Sequence, residues 1–301
     1  MKIAFRITSM LLTVALVAVA VQEYRYFKTR RDVVADRQAI FHSPSTFHVA
    51  TLLTLSAEQE LLSAVGSFAD ASEDAGGHII YAGKTFRSSS SPQVADEPWD
   101  AFVLVQFASQ DAYAMAASDP AYQNARAQFE SSYAHGMQRS VALNLFIPIV
   151  LLAKRVGDYV TFTPNRYPFE PAELPADVPA KVLDQRDQLL ERLLANREYG
   201  RDAVVILNLL KEGDSSERKD MDGYGSAMLD LMAETGNGPV HFGRAVTVEG
   251  DATFDNVAIV YYPGVDYLAE MVQSTYFTGI FGGKRLNDSL ALLTVPLLPH
   301  L

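Results

Sequence analysis

The chain of 301 residues contains no cysteine. That removes disulfides, thiolate nucleophiles, cysteine-bound zinc and iron–sulfur clusters together. Basic residues are also in short supply: 25 Lys and Arg stand against 36 Asp and Glu, a net charge of −11. A phosphate backbone needs a clustered basic surface, so no nucleic-acid partner is expected. The six histidines, His42, His48, His78, His135, His241 and His300, are singletons without metal-ligand spacing, so no metal is expected. A Gly-x-Ser-x-Gly elbow is missing too. Thr278 to Lys284 is glycine-rich but lacks the spacing of a phosphate loop. Haem ligation would rest on a lone histidine, His135 or His241, and no cofactor is expected.

What the chain does have is an internal echo. Gly83-Lys84, Trp99-Asp100, the apolar stretch Ala101 to Phe107 and Tyr122 form one set. Gly243-Arg244, Phe254-Asp255, Asn256 to Tyr262 and Tyr276 form the other, at an offset of about 155 residues. A unit that long is a domain, and the chain has room for two with cores of their own.

A second signal is the N-terminus. Lys2 and Arg6 precede an apolar run from Ile7 to Val21, ended by Gln22-Glu23. Counted from Ile3 with Arg6 snorkelling, it spans about 28 Å, enough for a bilayer core. Ala18-Val19-Ala20 suits a signal peptidase, whereas Arg25, Lys28, Arg30 and Arg31 oppose export. The expectation is a single-pass membrane anchor with the folded part outside the cytoplasm, a cleaved signal peptide and a core helix being the alternatives.

From Phe47 onward the pattern predicts β-α-β-β-α-β twice. The first set has strands over Phe47–Leu55, His78–Arg87, Trp99–Phe107 and Arg139–Ile149, with a helix after Ser56 and another from Ser109 or Asp111. The second has strands over Asp202–Lys211, Pro239–Val248, Phe254–Tyr262 and Ser289–Leu298, with helices over Tyr224–Ala233 and Val265–Thr275. Both last strands are expected to end at a proline, Pro148 and Pro296. The boundaries are then a leader at 1–28, domains at 45–150 and 201–299, and a connector at 151–200. In the connector, Pro164, Pro168, Pro171, Pro175 and Pro179 precede a helix over Asp184–Glu198.

The second set resembles a small bacterial domain family of the dimeric α+β barrel superfamily. The matching pieces are Ile206 to Lys211, Tyr224-Gly225, Val240 to Arg244, Asp255 to Pro263, and Arg285 before Asn287-Asp288-Ser289. The first set keeps Trp99-Asp100 and Pro120-Ala121-Tyr122, with Thr54 standing where Asn208 does. The resemblance implies an α+β fold: two tandem ferredoxin-like units packed sheet to sheet as a barrel within the chain. Such barrels usually form between two chains, and a homodimer is a possible partner here. Superfamily members include cofactor-independent monooxygenases, isomerases and haem peroxidases, so no single reaction is implied.

Strand alternation puts Val204, Ile206, Asn208 and Leu210 on one face and Val205, Leu207 and Leu209 on the other. If the fully apolar set meets the helices, Asn208 projects between the sheets. Tyr262 and His241 could line the same space, with Arg285 at its rim, as a site for a small organic anion or carbonyl compound. Each also has a structural reading. Asn208 can close a hydrogen-bond network, Arg285 can pair with Asp255 or Asp288, and Tyr122 and Tyr276 can anchor helices. Asp100 and Asp255 are expected to bond backbone N–H groups at the turn into the third strand. The leading functional expectation is a membrane-tethered protein that binds a small molecule or serves a structural role. The alternatives are a cofactor-independent monooxygenase or isomerase and an interaction scaffold.

Overall fold

The computed structural model describes residues 47–301, apart from 57–58, 90, 95–97, 140, 172–179, 201–202, 282–285 and 298–300, together with scattered positions between 6 and 25. Eight strands form a single closed antiparallel barrel. The first four are β1 (Phe47–Thr54), β2 (His78–Ser88), β3 (Ala101–Phe107) and β4 (Ser131–Gln138). The last four are β5 (Val204–Lys211), β6 (Gly238–Thr247), β7 (Asn256–Tyr262) and β8 (Asp288–Pro296). Around the barrel the order is β1-β3-β2-β8-β5-β7-β6-β4. Each set of four pairs within itself, and the seams β2–β8 and β4–β6 join the two sets edge to edge. The barrel therefore closes within one chain, and closure leaves no strand edge open.

Helices cover the outside. α1 (Leu61–Asp74), α2 (Gln110–Ala117) and α3 (Pro120–Arg126) pack on the first four strands. α4 (Val141–Val160) and α5 (Ala180–Ala195) lie between the sets. α6 (Ser215–Thr235), α7 (Val265–Gln273) and α8 (Thr275–Phe281) belong to the second set. Local chemistry starts them: Ser109 caps α2, Asp119 caps α3 with Pro120 at its first position, and Asp214 with Glu217 forms a capping box on α6.

The two sets share hydrogen bonds as well as order. Asp100 Oδ2 accepts from Leu55 N and Asp255 Oδ2 from Glu212 N, both at 2.8 Å. Asp100 N donates to Leu53 O and Asp255 N to Leu210 O, again both at 2.8 Å. Each aspartate ties the end of one strand to the start of its neighbour, close to the turn role expected of it. These bonds match Leu53 with Leu210, so Thr51, and not Thr54, occupies the place of Asn208. A register shift also recurs, between Ile79 and Tyr81 in β2 and between Pro239 and His241 in β6.

Several expectations are corrected. The fourth strand is Ser131–Gln138, and the apolar stretch read as that strand is α4, with Pro148 inside a helix. Residues 131–138 pair with β1 and β6 despite their polar composition, because the ladder draws on backbone groups. Pro296 does end β8 as expected. Five positions of the Ile7–Val21 run lie outside the described residues. Among those described no helix is long and apolar enough to cross a membrane, which overturns the anchored placement.

Candidate functional site

The strands are buried on both faces, one side packing on helices and the other filling the barrel. Val205, Leu207 and Leu209 sit in the barrel interior with Ala50, Leu52, Phe102, Leu104, Ile259 and Tyr261. Val204, Ile206 and Tyr262 belong to the helix-facing layer. On β5 the inward side is therefore the more uniformly apolar one, the reverse of the assignment from the sequence.

That reversal relocates the expected site residues. Asn208 shares the alternation of Val204 and Ile206 and faces outward, its Nδ2 donating to Ile206 O at 3.3 Å and Ala258 O at 3.2 Å. Tyr262, opposite Val204, also lies under the helices, and its hydroxyl is held well above the ordinary phenol range by burial, with Tyr224 and Tyr267 adding to the effect. Arg285 lies outside the described residues. His241 pairs with Ile259 and faces the lumen. Of the three described, only His241 reaches the barrel interior.

Other polar residues meet it there. His48 on β1 alternates with Ala50 and Leu52 and pairs with Met137, all lumen residues. Its ring centroid lies 5.4 Å from that of His241. Arg139, one residue past β4, donates from Nη1 to His241 Nδ1 at 2.9 Å, which places the proton of that ring on Nε2. His135, opposite Ala50, stands diagonal to His48; its Nδ1 is 2.9 Å from Tyr133 Oη, and its ring meets the edge of Phe254. His48, His135, His241 and Arg139 are all buried.

Electrostatics keeps the first two imidazoles neutral. Burial pulls His48 down to about 4, with the Arg139 charge adding to the effect. Burial alone pulls His135 down to about 4. Burial also lowers Arg139 from its ordinary value. Both ring nitrogens of His48 are buried without a hydrogen-bond partner, as is Nε2 of His135. Buried polar atoms are nearly always paired, so these nitrogens are open to a partner such as a water or a ligand. A neutral imidazole offers one donor and one acceptor, and the guanidinium offers only donors. Together they suit an oxygen-bearing group that carries or develops negative charge.

Sequence reasoning named His241 and missed His48, Arg139 and His135 as its companions. The signal for His48 was present: it sits two residues before Ala50 and four before Leu52, on the inward side of its strand. Arg139 was concealed by its assignment to a strand. Two surface clefts lie elsewhere. One of about 400 Å3 is lined by Arg197, Asp266, Glu270 and Gln273, and one of about 330 Å3 by Arg126 and Glu249 among others. Among the described residues no group of three or more His, Asp or Glu side chains is placed to hold a metal.

No protein-family model matches the chain. No curated protein matches it either. Among solved structures it is similar to a dye-decolorizing protein from V. cholerae, at 10% identity and TM-score 0.43, covering 85% of this chain and 95% of that one. It is similar to a mutant chlorite dismutase from Candidatus Nitrospira defluvii, at 10% identity and TM-score 0.42, covering 88% and 97%. A protein from Lactobacillus acidophilus whose description assigns it only provisionally as a monooxygenase gives 8% identity and TM-score 0.41, covering 84% and 94%. Likeness at this level carries no activity to the present chain.

Proposed function

We propose that this protein binds a small organic anion or carbonyl compound in the barrel lumen, at the cluster of His48, His241 and Arg139. The observation that carries the reading is His48, fully buried with neither ring nitrogen bonded. Leaving such a group unsatisfied costs about 1–3 kcal/mol, a cost a bound oxygen would offset. In this reading His241 is a ligand-binding residue, and Asn208 and Tyr262 serve the sheet and the helix layer. We read residues 45–150 and 201–299 as two copies of one ferredoxin-like unit joined by a connector at 151–200, a division supported by the matched aspartate bonds and register shifts.

Calorimetric titration with acetoacetate and benzoate tests the site. Binding that weakens tenfold or more in both His48→Gln and Arg139→Met supports it. Binding that both variants leave unchanged, or no binding of either compound, overturns it.

The second reading is cofactor-independent isomerase or oxygenase chemistry. The placement of a neutral imidazole near a guanidinium favours it, since a proton could leave carbon for His48 while Arg139 holds the developing enolate oxygen. An imidazole held near 4 is a weak base, which ranks binding first. Exchange of the α-hydrogens of acetoacetate in D2O, accelerated by the wild type and lost in His48→Gln, would reverse that ranking.

A further inference from the structure

α4 packs Leu151 on the core of the second set but is otherwise turned inside out. An amphipathic helix on a globular protein directs its apolar stripe to the core and its charges to water. Here the charged side chains point inward. Lys154 Nζ donates to Asp230 Oδ1 at 2.7 Å and to Ser226 Oγ at 3.0 Å, both on α6. Asp158 accepts from Arg166 Nη1 at 2.8 Å, and Arg166 also bonds Glu234. The opposite face carries Phe146, Ile149, Leu152, Val156 and Val160, and Phe162 is exposed just past the helix end; these six are 46–87% exposed. Ile149, Val156 and Val160 follow the helical repeat, so the stripe is continuous along the helix.

We propose that this face is the contact between two copies of the chain, α4 against α4 about a twofold axis. Three observations favour a second copy. The stripe carries no charge among its five members, so two copies of a chain with net charge −11 can approach there without opposing like charges across the contact. The exposed area of these side chains together with Phe162 is roughly 700 Å2 per copy, close to the roughly 800 Å2 that each partner buries in a standard interface. A single straight stripe is also self-complementary under a twofold rotation, the commonest symmetry of protein pairs. The surface is separate from the lumen, and the inference stands whether or not the lumen binds a ligand.

Sedimentation velocity of the full chain across the micromolar range tests it. The wild type is expected to sediment as a dimer, and Ile149→Glu with Val156→Glu is expected to halve the apparent mass. Both positions are exposed, so the double variant should keep the wild-type circular dichroism and melting temperature. Met115→Glu, at an exposed position on α2, should remain dimeric. A monomeric wild type overturns the proposal, as does a dimer that the double variant leaves intact. A wild type that stays monomeric yet co-sediments with phosphatidylcholine vesicles, a property lost in the double variant, would assign the face to lipid and overturn it equally.

Discussion

Arg139 and His241 stand 2.9 Å apart, guanidinium Nη1 to imidazole Nδ1, across the seam where the first four strands meet the last four. Both side chains are buried. The contact therefore joins the two sets of strands and brings a cation to the lumen cluster. Arg139→Met keeps much of the bulk but leaves His241 Nδ1 without this donor. Unfolding in denaturant should show a loss of about 1–3 kcal/mol. An unchanged midpoint would mean that the bond contributes nothing net.

His48 and His135 make stability depend on pH. Both titrate near 4 when folded against an ordinary value of 6.5, through burial, with Arg139 contributing at His48. Between those limits the unfolded chain binds more protons than the folded one, so stability is fully present above pH 6.5 and falls as pH drops towards 4. The slope is at most about 1.4 kcal/mol per pH unit for each histidine. Denaturant unfolding at pH 7, 5.5 and 4.5 should show a shallower dependence in the His48→Gln/His135→Gln variant than in the wild type. Equal slopes would place these rings in contact with water.

Gly243 and Gly223 should respond to alanine in opposite directions. A Cβ on Gly243 would fall 2.6 Å from Gln138 O and 2.7 Å from Met137 Cγ, against the β4 backbone at the same seam. Gly243→Ala is expected to cost about 1–3 kcal/mol. Gly223, inside α6, has open space where its Cβ would stand. Gly223→Ala should raise stability by about 0.5–1 kcal/mol through the lost freedom of the unfolded chain. Calorimetric melting of the two variants checks both signs.

Asn208→Ala separates the roles considered for that residue. With its amide bonded to two sheet carbonyls on the helix side, the variant should lose about 1 kcal/mol of stability and leave titration with acetoacetate or benzoate unaltered. Weakened binding with an unshifted melting temperature would return Asn208 to the ligand site.

Much of the architecture was legible because it is written in short-range patterns. Apolar alternation marked seven of the eight strands near their observed places, and the aromatic–aspartate pairs marked the two third strands. The exception is instructive. Ser131–Gln138 is a strand by virtue of partners on both sides, and its sequence, with Ser, His, Gly and Gln, carries little strand preference. The apolar stretch beyond it satisfied a strand template equally well, yet it is a helix that packs on α6.

The candidate site was legible only in part, because choosing a face requires knowing which side is the core. In β5 both faces are apolar enough to be buried, so period two separated Asn208 from Leu207 without saying which looked inward.

By itself the sequence determined seven of the eight strands, the helix starts at Ser109 and Asp119-Pro120, the aspartate turns of the two sets, and the exclusion of thiol chemistry, since each depends on residues a few positions apart. Tertiary structure alone decided the edges at which the two sets join, that His48, His135, His241 and Arg139 share the barrel interior, and that α4 turns its charges inward. Those outcomes rest on backbone pairing and packing between residues more than two hundred positions apart, such as Gly83 with Pro296, and a local pattern leaves such pairings open.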